Sequence, residues 1–155
     1  MIKKIPKDNE EGGNSEGLLR AARLKVTPAR QDVLRILGNA RWPLSVRMIA
    51  GMLGPAADQV TAYRTLEVLA AAGIVRSVDL GHGHAHFELV AGREHHHHLV
   101  CESCGAIEDV ASCGDRTLER AVLKRSKSFA SIRTHALEFF GLCAKCAERL
   151  KRQTV

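Results

Sequence analysis

The architecture of the first half of the chain follows from residues 58–90, which read DQVTAYRTLEVLAAAGIVRSVDLGHGHAHFELV. Apolar side chains recur at helical spacing over 60–69. Residues 74–80 then alternate as a strand, 81–83 make a glycine-rich turn, and 85–90 return as a second strand. This stretch therefore predicts a helix followed by a β-hairpin.

Two more helices are predicted upstream of this stretch. Thr27 can cap a helix that Pro28 opens and Gly38 ends. Ser45 can cap a second helix, which ends at Gly54. Three helices followed by a β-hairpin is the order of a winged helix-turn-helix fold, a reader of double-stranded DNA.

The composition indicates a folded protein with a polyanionic partner. The chain has 155 residues, too few for a large enzyme, and 45% are hydrophobic, which excludes wholesale disorder. Lys and Arg number 23 against 17 Asp and Glu, a formal net charge of +6. Nine basic and three acidic side chains fall within 17–76. This charge on a winged-helix pattern favours DNA binding over a merely solvated basic surface.

The expected cellular compartment follows from two other features of the sequence. No apolar run approaches the roughly 20 residues that a membrane helix needs, and no secretory signal opens the chain. The five cysteines fit a reduced compartment with metal sites better than a disulfide framework. We therefore expect a soluble, cytoplasmic protein with no membrane partner.

The chain divides into four parts, and the expected fold class is α+β. Residues 1–17 predict a mobile tail, with a helix beginning near Ser15. The winged-helix domain covers 18–90, a hinge covers 91–94, and a small C-terminal α/β dimerisation domain covers 95–155. A body of about 60 residues buries little apolar surface, so a structural metal or a partner subunit is expected to stabilise it.

The pattern of the C-terminal domain predicts both strands and helices. Strands are expected at 99–101, 107–110 and 132–140. Amphipathic helices are expected at 116–125 and 144–151.

Two C-x-x-C pairs carry the most specific chemical signal. Cys101 and Cys104 form the first pair, Cys143 and Cys146 the second, and each pair falls at a turn. Two such turns complete a tetrahedral four-sulfur site, which favours structural Zn²⁺ over redox pairs or buried core thiols. The fifth cysteine, Cys113, is interpreted as a free thiol, a small core residue or an auxiliary ligand.

Seven of the eight histidines lie between positions 82 and 98. They are His82, His84, His86, His95, His96, His97 and His98, and the eighth is His135. The cluster is internal, unlike an expression tag, and imidazole suits first-row divalent ions, so metal binding is favoured over a solvated polar loop.

A second, mixed site is predicted around the hinge. His96 and His98 point to one face if their strand extends back that far. With the carboxylates of Glu88 and Asp109 they make a set that suits Fe²⁺, Mn²⁺ or Zn²⁺. His84 and His86 alternate on the wing, where they either add ligands or form a solvated polar surface.

Six motifs together resemble the ferric uptake regulator family from about residue 18 to 150. They are Lys25-Val-Thr27-Pro28-Ala-Arg30, Thr61-Ala-Tyr63-Arg64-Thr65-Leu66, Phe87-Glu88-Leu89, the run from His95 through Cys101-x-x-Cys104-Gly105, His135, and Gly141-Leu-Cys143-x-x-Cys146.

The resemblance implies a homodimer that binds a DNA operator and represses transcription of metal homeostasis genes when metal-loaded. It implies no enzymatic activity and no small-molecule substrate. The residues that it assigns to DNA contacts are Lys25, Arg30, Thr61, Tyr63 and Arg64. The four paired cysteines match the structural zinc site, Glu88, His96, His98 and Asp109 match the regulatory site, and His95, His97 and His135 match a further site of some members.

Two departures from the family pattern bear on the sensed ion. Pro43 stands where many members have a regulatory histidine, so either His84 or His86 replaces it or the site has fewer ligands. Glu88 stands where peroxide-sensing members usually have Asp and many zinc-uptake regulators have Cys. Iron is therefore favoured slightly over zinc or manganese, with a zinc-uptake or peroxide-stress regulator as the alternative within the family.

Two other classes of protein fit the sequence less well than a regulator does. A metallohydrolase needs an open coordination position, whereas four thiolates would close the first site, and no H-E-x-x-H motif is present. A metal-storage or metal-delivery protein would suit the histidine run but would leave the winged-helix half without a role.

Overall fold

The computed structural model describes residues 15–55, 58–91, 93, 95–111 and 117–153. The chain forms two compact units, which divide after Arg93. Most of the tail predicted at 1–17 lies outside the described residues, as do Cys113 and two of the four residues of the predicted hinge. Helix α1 spans Ser15–Ala21, so the last three residues assigned to the tail are helical.

Helices α2 and α3 of the first unit begin where the sequence places their caps, and Asp58 also caps α4. Helix α2 spans Pro28–Gly38, α3 spans Val46–Leu53 and α4 spans Gln59–Ala71. The side chains of Thr27, Ser45 and Asp58 cap them by accepting a backbone N–H from the residue three positions on. The Thr61 N–H that Asp58 accepts lowers the pKa of that carboxyl group.

A three-stranded antiparallel sheet completes the winged-helix unit. Strand β1 is Leu44–Ser45, β2 is Val75–Asp79 and β3 is Ala85–Leu89, in the order β1-β3-β2. The run Trp42-Pro43-Leu44 is typical of a turn, but Leu44 pairs with Phe87 of β3. A strand of two residues is too short to show an alternating pattern, which is why the sequence does not reveal it. Leu44 and Phe87 are both buried, and their packing stabilises the pairing.

One continuous apolar core holds the first unit together. It draws on α1, α2, α3, α4 and all three strands, which explains why the order of elements predicted the fold. Its buried members are Leu19, Val33, Leu34, Ile36, Leu37, Leu44, Ile49, Leu66, Leu69, Ile74, Val75, Phe87 and Leu89.

The second unit contains a three-stranded sheet and two helices. Strand β4 is His97–Cys101, β5 is Ile107–Val110 and β6 is Glu138–Gly141, in the order β5-β4-β6. Strand β4 pairs antiparallel with β5 and parallel with β6. Helix α5 spans Thr117–Arg125 and helix α6 spans Ala144–Gln153.

The strand predicted at 132–140 is shorter than its alternating pattern suggested. Only Glu138–Gly141 is extended and paired, because these are the residues that pair with β4, from His98 to Cys101. Residues 131–137 have no regular secondary structure. Alternation marks where a strand could form, whereas hydrogen bonds to a neighbouring strand decide where it does.

No helix in the described part of the chain is long and apolar enough to cross a membrane.

Candidate metal centres and DNA interface

The four paired cysteines come together in the second unit. Cys101 ends β4, Cys104 lies in the turn that follows, and Cys143 and Cys146 lie at the start of α6. The parallel register places Cys101 opposite Gly141, which brings the two turns to the same end of the sheet. The four sulfur atoms all lie within 4.8 Å of one another, and Cys104 Sγ is 3.8 Å from Cys143 Sγ.

The backbone around these sulfur atoms stabilises thiolate. The Cys143 N–H donates to Cys101 Sγ at 3.3 Å and, with the amides of Cys104 and Ser103, lowers the pKa of Cys101 to about 6. The Ala106 amide acts in the same direction on Cys104, but the neighbouring sulfur atoms outweigh it and raise the pKa of Cys104 to about 11. Four crowded thiols of this kind ionise together only around a cation, and a closed tetrahedral set of sulfur atoms fits Zn²⁺.

A second cluster joins three imidazoles of the same unit. The Nε2 atoms of His95 and His97 are 3.2 Å apart, and each is 3.1 Å from Nε2 of His135. A triangle of this size puts each nitrogen ~1.8 Å from its centre, so an ion at the usual zinc–nitrogen distance of about 2.0–2.1 Å would sit ~1 Å above its plane.

Hydrogen bonds at the far side of two of these rings set their tautomers. His97 Nδ1 donates to the Leu137 carbonyl at 3.1 Å, and His135 Nδ1 lies 3.0 Å from a carboxylate oxygen of Glu119. Each Nδ1 therefore carries the hydrogen, and in a neutral ring the Nε2 lone pair points into the triangle. Two facing lone pairs 3.1 Å apart repel unless a cation lies between them, so the arrangement fits a divalent ion.

Sequence reasoning missed Glu119, which belongs to this cluster. Its Oε1 faces His135, and its Oε2 is buried with no hydrogen-bond partner among the residues that the structure describes. An acidic residue in the first turn of a helix is common, since it complements the helix dipole, so the position of Glu119 on α5 carried no distinguishing signal.

The residues predicted for the regulatory site divide between the two units. In the second unit, His98 and Asp109 are register partners on β4 and β5, with His98 Nε2 3.7 Å from a carboxylate oxygen of Asp109. The rings of His96 and His98 meet edge to face at 5.1 Å between centroids. An imidazole pair and a carboxylate are thereby gathered at the start of this unit.

Glu88, the fourth predicted ligand, lies in the first unit. It is on β3 and only 2% exposed. Its cross-strand partner Arg76 forms an ion pair with one carboxylate oxygen, and Arg93 Nη1 lies 3.3 Å from the other. This pair of arginines could not be foreseen from the sequence, because neither residue lies next to Glu88 in the chain.

The wing brings three further histidines together. The ring centroids of His84 and His86 are 4.7 Å apart, and that of His82 lies 5.1 Å from His86. His86 is 5% exposed. Burial, together with the neighbouring imidazoles of His84 and His82, lowers the pKa of His86, so its ring stays neutral near pH 7.

Helix α4 presents the residues predicted to contact DNA on the face opposite its core. Ala62, Leu66 and Leu69 are buried, whereas Tyr63, Arg64 and Glu67 between them are exposed. The exposed predicted residues are Thr61, Tyr63 and Arg64, with Tyr63 at 47% exposure. Lys25 and Arg30 lie together ahead of and within α2, where Arg30 Nη1 donates to the Lys25 carbonyl at 2.6 Å.

A metal-binding transcription regulator is the class of protein that these two units define. Residues 21–140 match the sequence profile of the Ferric uptake regulator family. A ferric uptake regulation protein of Legionella pneumophila is 36% identical over 132 residues, covering 83% of this chain and 95% of that protein. The chain belongs to the ferric uptake regulator family, which confirms the resemblance seen in its motifs.

Solved structures share the fold. The ferric uptake regulator of Helicobacter pylori, 22% identical, aligns with a TM-score of 0.73 over 90% of this chain and 97% of that chain. The ferric uptake regulator of Francisella tularensis, solved with iron, is 28% identical and aligns with a TM-score of 0.65 over 80% and 95%. Membership of the family makes this chain a metal-responsive transcriptional repressor that acts as a DNA-binding dimer, and not an enzyme.

Proposed function

We propose that this chain is a cytoplasmic repressor of metal homeostasis genes. Its affinity for the operator depends on a divalent ion bound by Glu88, His96, His98 and Asp109. The observation that carries the proposal is the buried carboxylate of Glu88 within the DNA-binding unit. Burying a charge is costly, and an ion pair with arginine repays that cost poorly, so a buried ion pair is weak evidence for a stabilising role. A role as a metal ligand would explain why the carboxylate of Glu88 is buried.

The proposed mechanism couples the ion to the DNA-reading helix. An ion that takes ligands from both units restricts bending of the chain at 91–94, which favours one spacing of the two reading helices in the dimer. The ion shifts this equilibrium only by its differential affinity for the DNA-binding form. A shift from 1:99 to 99:1 requires about 5.5 kcal/mol.

Two other ions complete the proposal. Zn²⁺ at Cys101, Cys104, Cys143 and Cys146 has a structural role, supported by the mutual proximity of the four sulfur atoms. A second divalent ion is assigned to His95, His97 and His135, supported by the converging Nε2 atoms.

Iron is the sensed ion that we favour. Nitrogen and carboxylate oxygen ligands suit Fe²⁺, Mn²⁺ and Zn²⁺ alike, whereas a zinc-selective site would gain from sulfur. The Francisella relative, which was solved with iron, supports this choice. Operator binding measured anaerobically with each ion in turn would test it: tighter binding with Zn²⁺ than with Fe²⁺ or Mn²⁺ would favour a zinc-uptake regulator instead.

The DNA contacts are assigned to Lys25, Arg30, Thr61, Tyr63 and Arg64. Arg64 is exposed on α4, and an arginine on a reading helix can pair with guanine through two hydrogen bonds. Lys25 and Arg30 lie near each other and add positive charge that phosphate groups attract.

Operator selection followed by affinity measurement tests the proposal. The full chain, with its zinc retained, is used to select binding sites from random-sequence duplex DNA in the presence of Mn²⁺. We expect a chelator too weak to remove thiolate-bound zinc to weaken specific binding at least tenfold. Arg64→Ala should cost ~1–3 kcal/mol of specific binding. Arg152→Ala, which removes the same charge from exposed α6, is the matched control and should bind as the wild type does.

Two results would overturn parts of the proposal separately. Equal affinity with and without the chelator would show that the ion does not gate DNA binding. Wild-type affinity of Arg64→Ala and of Tyr63→Ala would show that α4 is not the reading helix.

A further inference from the structure

The histidines of the wing have no role in the function proposed above. Gly81-His82-Gly83-His84-Ala85-His86 forms the turn between β2 and β3 and the start of β3. Gly81 and Gly83 have φ values of 74° and 73°, a conformation that favours glycine, and they fold the turn tightly around His82. The three imidazoles therefore lie on a single small element, entirely inside the first unit.

Two of the three rings are already spaced as ligands of one ion. His82 Nδ1 lies 3.5 Å from His86 Nε2. Two nitrogen ligands of a tetrahedral zinc ion are about 3.4 Å apart. The distance is longer than a good hydrogen bond between rings, so it fits a shared cation better than a shared proton.

The third ring has its tautomer set from the backbone. His84 Nδ1 lies 3.0 Å from the His82 carbonyl, which can only accept, so Nδ1 carries the hydrogen and Nε2 has the lone pair. The ring centroid of His84 is 6.1 Å from that of His82. His84 is exposed and its Nε2 lone pair is available, which makes this ring the candidate for the third ligand.

Burial of His86 argues against a merely solvated wing. The side chain lies on β3, opposite Ser45 of β1 and Val78 of β2, and it is 5% exposed. Its Nδ1 is buried and has no hydrogen-bond partner among the described residues. A buried ring is not part of a solvated surface, and Nε2 is the nitrogen of this ring that faces His82.

From this geometry we infer that His82, His84 and His86 form a further metal site, for a late first-row divalent cation such as Zn²⁺, located in the DNA-binding unit. Three neutral imidazoles without carboxylate or sulfur suit such ions and leave a fourth position for water or another ligand. The ion would restrict the motion of the turn between β2 and β3 and add two positive charges to a unit that is already basic.

Zinc stoichiometry of the full chain tests the inference. The wild type and a His82→Ala, His84→Ala double variant are dialysed against a buffered free Zn²⁺ concentration, and zinc per chain is measured. Both substituted side chains are exposed, so the fold should be retained. We expect the double variant to bind one equivalent less than the wild type. The control is His95→Ala with His135→Ala, which should lose a different equivalent and keep the wing site.

A second measurement follows His86 directly. With ¹⁵N-labelled histidine, Zn²⁺ should shift the ring resonances of His86 in the wild type and in the control but not in the double variant. Equal zinc stoichiometry in the wild type and the double variant would overturn the inference. So would a His86 shift that persists in the double variant, because His86 would then belong to the site assigned to Glu88. Loss of operator gating leaves either readout unchanged, so the two proposals fail separately.

Discussion

The two units of this chain are held together by different means. The first has thirteen buried apolar residues in one cluster. Among the described residues of the second, the buried apolar side chains are only Val100, Cys101 and Cys146, and two of these are proposed zinc ligands. Buried polar residues there include His97 and His98, both within the metal-binding clusters.

The large apolar side chains of the second unit lie mostly at its surface. Leu99 and Phe139 are register partners on neighbouring strands, and both are more than 40% exposed. The exposed set is Leu99, Leu118, Val122, Phe129, Phe139, Phe140, Leu142 and Leu150. Exposed apolar groups of this number mark an interaction surface, which agrees with a family whose members act as dimers. The first unit thus folds by burying its own apolar groups, whereas we expect the second to depend on bound metal and a second copy.

Removal of zinc should therefore have the largest effect, and only on the second unit. Zinc binding in small zinc-dependent domains contributes apparent free energies of about 10–16 kcal/mol, which exceeds what one buried valine and a small sheet supply. We expect a strong chelator, or Cys104→Ser, to abolish amide hydrogen-exchange protection in β4 and β6 while α2 and α4 keep theirs. Ser103→Ala, in the same turn, is the control. Protected β4 amides in zinc-free protein would contradict this account.

Truncation of the apolar core should have the opposite effect: it should destabilise the first unit and leave the second unit folded. Leu66 on α4 is fully buried among the helices of the first unit, so Leu66→Ala should destabilise that unit by ~2–5 kcal/mol. Val60→Ala, on the exposed face of the same helix, should change stability by less than about 0.5 kcal/mol. Denaturant unfolding gives the free energies, and zinc content measures the second unit. Zinc loss in Leu66→Ala without denaturant would show that the units are not independent.

Sequence reasoning succeeded where one local signal decides the outcome. Thr27 and Ser45 each cap a helix as predicted, because a capping side chain needs only an amide three residues away. Cys101 and Cys104 were predicted to meet Cys143 and Cys146 for a similar reason. Their spacing already builds two turns, and the sheet only has to bring those turns together.

The features that sequence reasoning missed depend on pairing between distant parts of the chain. Arg76 meets Glu88 because β2 and β3 are in register, and Glu119 meets His135 because α5 packs near an irregular segment. The strand predicted over 132–140 failed at His135 for the same reason. Its alternating pattern was real, but no strand in the described part of the chain pairs with residues 131–137, and the imidazole of His135 lies against His95 and His97 instead.

The smallest predicted effect concerns metal affinity at the three-histidine site alone, with the four-cysteine zinc site unchanged. Glu119 orients His135 through Nδ1, and loss of such a partner typically weakens metal binding 10–100-fold. We expect Glu119→Ala to weaken binding at His95, His97 and His135 by that factor, measured by competition with a chelating dye. Glu119→Gln, which keeps a hydrogen-bond acceptor but not the charge, should lose less. The four-cysteine zinc should stay bound in both variants, since no sulfur atom contacts Glu119 in the described structure. Equal metal affinity in Glu119→Ala and the wild type would show that Glu119 does not contribute to the site and that the three imidazoles bind their ion without it.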